Sequence, residues 1–149
     1  MSPELFAKDV EQRKKKAEEY IEAATEDLGA LEVLFLDGFR YPHNACMLMA
    51  RASEKYLKAK ILLNGKDVGW IHDQTILLTE LGFSESDEIM NVAAQLSVYA
   101  VQANYPSVVR HKIDKEIAYS AYDDLFILLD SIRDIDPRFD IPSKPSSNH

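Results

Sequence analysis

Glu54, Lys55 and Lys58 stand inside a segment otherwise built of core-type residues, Ala52-Ser53-Glu54-Lys55-Tyr56-Leu57-Lys58-Ala59-Lys60-Ile61-Leu62-Leu63. Lysines hold phosphate as mobile point charges, and a neighbouring carboxylate pairs with them or orients a donor. His72-Asp73 follows soon after, and Asn104-Tyr105 and Arg110-His111 come later. The tyrosine ring suits stacking on a base. These residues define a candidate ligand set of Glu54, Lys55, Lys58, His72, Asp73, Asn104 and Tyr105. Arg110 and His111 are the candidates for a catalytic role. The plainer reading is a surface ion pair between Glu54 and Lys58, at a helical spacing worth about 0.3–0.5 kcal/mol.

Other chemistries are poorly supplied. No His has Glu or Asp three residues before it, as carboxylate-bridged metal sites in helical bundles require. His43 and Cys46 share a helix start, but two ligands do not make a site, and a packed thiol with a surface imidazole explains them. His72-Asp73 resembles the metal-binding pair of helical phosphohydrolases. Such sites draw further His and Asp from other helices, and the chain has 4 His, one in its tail. A capping Asp73 with an orienting His72 is the simpler account. A helix N-terminus can activate a thiolate, yet nothing places a base beside Cys46. With 5 Gly and no Gly-x-Gly-x-x-Gly or Gly-Lys-Ser/Thr, no backbone phosphate cradle is formed. Neither a metal nor a cofactor is expected.

The elements that must position these residues are helices. Ala17, Tyr20, Ile21, Ala24, Leu28, Leu31 and Phe35 recur at three- and four-residue steps, predicting a helix from Lys8 to about Asp37, closed by Gly38. Arg13 to Lys16 lie largely opposite that stripe, with Glu18, Glu19 and Glu22 placed for helical charge pairs. Pro42 starts a second helix whose core face is Ala45, Leu48, Met49, Ala52, Tyr56, Ala59 and Leu63, ending at Asn64-Gly65. Leu57, Ile61 and Leu62 form a second apolar strip that one bundle core is not expected to cover, which predicts a partner interface, most simply a symmetric dimer. Asp73 caps a short third helix through Leu81, stopped by Gly82. Ser84 is expected to open a fourth, broken at Tyr105-Pro106. The last carries Ile113, Ile117, Ala121, Leu125, Leu128, Leu129 and Ile132. The result is an all-α, up-and-down four-helix bundle with one additional short helix, a single domain over 1–136, followed by a polar, frayed tail over 137–149.

Composition narrows the setting. The chain has 149 residues, 46% hydrophobic, enough for one continuous core. Its lone Cys46 suits a reducing compartment, and no segment reads as a signal or a membrane span, so a cytoplasmic protein is expected. A net charge of −8 argues against non-specific DNA binding, and any polynucleotide would need a local basic cleft. DNA and membranes are not expected partners.

The pattern Ala52-Ser53-Glu54-Lys55-x-Leu57-Lys58-Ala59-x-x-Leu62-x-x-Gly65 is similar to the second-helix signature of HEPN domains (higher eukaryotes and prokaryotes nucleotide-binding). Ile71-His72-Asp73 followed by Leu77-Leu78 resembles the start of that family's third helix. Ala23-x-x-x-Asp27-Leu28 resembles its first, and Asn104-Tyr105-Pro106 stands where many members have Arg-Tyr-Pro. The resemblance spans roughly residues 8–134. It implies a five-helix bundle, commonly homodimeric. Some members are metal-independent ribonucleases, often toxins of toxin–antitoxin pairs, that use Arg-x(4–6)-His; some act with a small nucleotidyltransferase; others bind nucleotides. Here Asn104 occupies the Arg place, with six residues between it and His111, and Asn lacks the permanent charge and forked donors that grip phosphate. The expectation is therefore a non-catalytic nucleotide- or RNA-binding module, homodimeric or paired with a nucleotidyltransferase. The alternative is a ribonuclease with a degenerate motif, using Arg110 and His111.

Overall fold

The computed structural model describes residues 3–104, 113–135 and 141–145. Five helices are formed: α1 (Pro3–Leu36), α2 (Pro42–Leu63), α3 (Gln74–Glu80), α4 (Ile89–Asn104) and α5 (Lys115–Ile135). No strand occurs among the described residues, so the protein is an all-α bundle. None of its described helices is long and apolar enough to cross a membrane.

The helix ends follow from local chemistry. After α1 the amide of Gly38 donates to the Phe35 carbonyl at 3.0 Å and that of Phe39 to Leu34 at 2.8 Å. The same paired closure recurs after α2 at Gly65-Lys66 and after α3 at Gly82-Phe83. Each closing glycine has positive φ, which costs a residue without a Cβ little. Asp73 caps α3 as its sequence predicts, its carboxylate accepting from the Thr75 amide at 3.0 Å. Asp114 does the same for α5 through Ile117 at 2.9 Å. Two boundaries differ from expectation. α1 begins earlier, at Pro3, and α4 begins at Ile89 rather than at Ser84. Asp87 does reach back to the Ser84 amide at 2.7 Å, but that bond closes a turn ahead of the helix.

α2 is the centre of the molecule. It packs against α1, α3, α4 and α5, and its heaviest contact is with α1. This arrangement overturns the reading of Leu57, Ile61 and Leu62 as a strip left for a partner: they are buried within the chain. Every residue from Tyr56 to Leu62 is buried, so the helix is covered on all sides there. Leu63, assigned to the core by its spacing, is instead 38% exposed.

The C-terminal end of α1 meets α5 through rings. Phe35 stacks on Tyr122 at 4.7 Å between centroids, and Phe39 meets Tyr119 and Tyr122 edge-on at 4.8 and 5.6 Å. This packing holds Phe39 at a φ of 53°, a left-handed geometry unusual for a bulky residue. Residues 141–145, part of the expected frayed tail, lie against α5. Ile141 is buried, Arg133 Nη2 donates to the Ile141 carbonyl at 2.7 Å, and Lys144 pairs with Asp123.

Candidate functional site

Four charged residues of α2, Arg51, Glu54, Lys55 and Lys58, separate into two groups, because successive positions point to different neighbours. Lys55 faces α1, where its Nζ donates to Asp27 Oδ2 at 2.7 Å, and Arg51 Nε lies 3.9 Å from the same oxygen. Asp27 is 8% exposed. A carboxylate so placed needs its partners, since an uncompensated buried charge is strongly destabilising. Thr25 and Tyr56 add a hydroxyl–hydroxyl bond of 3.1 Å to the same seam. Lys55 is therefore a structural clamp between α1 and α2.

Glu54 and Lys58 face the connection from α2 to α3. Lys58 Nζ lies 3.3 Å from Glu54 Oε2, and the lysine is only 4% exposed. His72 Nδ1 lies 3.1 and 3.2 Å from the two Glu54 oxygens. An ionised carboxylate only accepts, so Nδ1 carries the proton in this bond, and Nε2 remains as the polar end of an exposed ring. The carboxylate fixes the ring, while buried Lys58 balances its charge. The result is a positioned imidazole that can donate to, or accept from, a ligand.

His72 was expected to orient Asp73, and the geometry corrects this. His72 is oriented by Glu54, while Asp73 Oδ1 accepts from the Thr75 amide and, at 2.6 Å, from the Thr75 hydroxyl. Of the candidate ligand set, Glu54, Lys58 and His72 thus come together, Asp73 adjoins them as a cap, and Lys55 is committed elsewhere. Asn104 closes α4; its side chain and all of Tyr105, Arg110 and His111 lie outside the described residues.

Two residues that spacing did not single out matter here. Gln74, 1% exposed, anchors the start of α3: its amide donates to Ser97 Oγ at 3.0 Å and its Nε2 to the Ala50 carbonyl at 3.0 Å. It thereby fixes the connection that carries His72. Nothing in the sequence marks a glutamine beside a cap as buried. Trp70 is the converse, 94% exposed although the type is usually well covered.

The remaining groups offer little reactivity. Cys46 is fully buried, and burial pushes its thiol up to about 12, so a thiolate is scarce at neutral pH. Among the described residues no three His, Cys, Asp or Glu side chains are grouped as metal ligands.

An all-helical bundle with a central second helix, bearing a carboxylate–imidazole pair at its junction with a short third helix, defines the class. The family model described as the HEPN domain matches residues 17–135, and the chain belongs to that family. Neither a curated protein nor a solved structure matches it. Membership associates the chain with nucleotide- and RNA-related functions in general.

Proposed function

We propose that this protein is a non-catalytic nucleotide- or RNA-binding module whose ligand meets His72 at the junction of α2 and α3. The observation that supports this is the Glu54–His72 bond of 3.1 Å backed by buried Lys58. Burying a lysine and a carboxylate beside a loop costs desolvation, and apolar residues of similar volume would hold the same helices at no such cost. The exposed imidazole is the part of this cluster that a ligand can reach. Asp73 adjoins His72 in the chain, and Asn104 and Tyr105 are proposed as further ligand residues on the family resemblance alone. A homodimer, or a complex with a nucleotidyltransferase, fits the family resemblance, and light scattering of the pure protein tests the first.

Thermal unfolding in the presence of purine and pyrimidine nucleotides tests the reading. Ligand at 100 times its Kd stabilises the fold by about 2.7 kcal/mol. A rise in Tm that is lost in His72→Ala is the expected result. No rise with any nucleotide at millimolar concentration overturns the small-nucleotide form. The ribonuclease alternative predicts RNA cleavage in the presence of chelator, lost in His111→Ala.

A further inference from the structure

The C-terminal end of α1 and the first half of α5 enclose a groove that the His72 site does not use. Helical spacing sets its walls. Tyr119, Tyr122 and Asp123 stand at i, i+3 and i+4 on α5 and share one face, and Phe35 and Leu36 come from the last turn of α1. The groove measures about 570 Å³ and is lined by these five residues with Gly38 and Lys144. The Tyr119 and Phe35 ring planes lie 76° apart with centroids at 6.2 Å, so the two rings are differently oriented walls rather than a stack. Tyr119 is 42% exposed and Leu36 62%.

Two carboxylates act on this corner. Burial first, and then Glu32 and Asp123, push the Tyr122 phenol up to about 12, so the ring stays neutral at physiological pH. Ring faces and carboxylates attract the same kind of ligand, a cation, the first through their quadrupole and the second through full charge. The chain already seats an ammonium here. Its C-terminal segment runs back along α5, with Ile141 buried, Arg133 Nη2 donating to the Ile141 and Pro142 carbonyls, and Lys144 Nζ paired with Asp123 Oδ1. That pair is shallow. The Lys144 and Asp123 side chains are 43% and 61% exposed, and ion pairs so open to solvent contribute little. The groove also keeps its volume with Lys144 in place, so the lysine does not fill it.

We propose that this groove binds a small organic ammonium ion, and that Lys144 is its built-in competitor for Asp123. The cationic head lies against Asp123 and the rings of Tyr119 and Phe35, and the apolar part of the ligand lies over Leu36. A cavity of this size is in the range that small molecules occupy. A hard inorganic cation is disfavoured, because it needs several oxygens where the groove lining offers one carboxylate, whereas rings favour a diffuse charge. A polypeptide is disfavoured as well. It would have to displace buried Ile141 and the two carbonyls held by Arg133, while a small ligand has only to displace the Lys144 head. The groove contains none of Glu54, Lys58 and His72 and does not rest on the nucleotide reading. Glu32 and Asp123 repel the phosphates of a nucleotide.

Choline is the probe, set against its neutral isostere, in which a tert-butyl group replaces the trimethylammonium head. Titrated into isotope-labelled full-length protein at constant chloride, millimolar choline is expected to shift the amide resonances of Leu36, Gly38, Tyr119 and Asp123 to saturation. The isostere at the same concentration should leave them in place. Asp123→Asn should weaken choline about tenfold, the scale of a partly desolvated contact to a cation. Lys144→Ala should tighten it about threefold, the gain when a site blocked about two-thirds of the time is always open. Both side chains are exposed, and an unchanged Tm shows that the variants fold. Absence of shifts with choline overturns the proposal, as do equal shifts with the isostere, which would leave an apolar pocket indifferent to charge. Shifts that gather around His72 instead also overturn it. Unchanged affinity in Lys144→Ala removes the competitor from the proposal. Choline binding without stabilisation by nucleotides leaves this groove standing and the His72 reading fallen, and the converse result does the opposite.

Discussion

Lys55 and Lys58 stand three residues apart on α2 and would pass for equivalent surface lysines in a list of charges. Lys55 closes on Asp27 across the α1–α2 seam, with both side chains largely covered. Lys58 is more deeply buried still, yet its partner Glu54 also holds an imidazole whose side chain is 68% exposed. One arrangement ends inside the protein and the other ends in solvent. The contrast teaches that burial of a charge does not by itself distinguish a clamp from a site. What distinguishes them is whether the network has a member that a ligand can touch.

The largest test asks whether α2 is central at all, since both regions depend on it. Leu57→Ala removes a side chain with no exposed surface and should cost about 2–5 kcal/mol in urea unfolding. A loss below about 0.5 kcal/mol, the scale of a surface change, would mean that this strip faces outward after all. Next, Asp27→Ala should cost about 1.5–3 kcal/mol, because it strands Lys55 and removes a charged hydrogen bond. A double-mutant cycle with Lys55→Met should recover much of that coupling. His72→Ala sharpens the contrast from the other side. Its ring is exposed, so stability should change by no more than about 0.5 kcal/mol while nucleotide stabilisation disappears. A large stability loss there would make the second region a clamp like the first.

The smallest effect concerns a charge with neither role. Asp124 on α5 is held above the usual carboxylate range, first by burial and then by the neighbouring Asp123. A carboxyl whose folded value is raised favours the fold most when protonated, and that contribution is lost as pH rises through the folded value. Asp124→Asn should therefore raise Tm slightly at neutral pH and leave it unchanged below about pH 3. An increase that persists in acid would assign the effect to packing instead.

Much of the fold was legible because its signals are local. The glycines at 38, 65 and 82 close helices wherever they occur, and Asp73 caps α3 through an amide two residues away. The periodic stripe of α1 found its core, with Ala17, Ala24 and Leu31 fully buried. Spacing failed at Leu57, Ile61, Leu62 and Leu63 because it identifies faces of a helix without saying how many neighbours cover them. It failed at Ser84 for a related reason: the Ser84–Asp87 bond forms as expected, but packing starts the helix at Ile89.

The site was legible in its residue types and only partly in its membership. Residue type groups Glu54, Lys58 and His72 with Lys55 and Asp73, and helix packing divides that set between a seam, a cluster and a cap. Gln74 and Trp70 carried no sequence signal, since a polar residue's burial and an indole's exposure depend on which elements arrive beside them.

By itself the sequence determined an all-helical chain, the ends of most helices and the residues able to bear charge at the second one. Those outcomes depend on hydrogen bonds and side-chain periods that span only a few positions. The tertiary structure alone decided that α2 lies at the centre, that Lys55 meets Asp27, that Glu54 holds His72 and that Arg13 reaches Asp67. Each of these joins residues distant in the chain, and the choice among many possible pairings is made by how the helices pack.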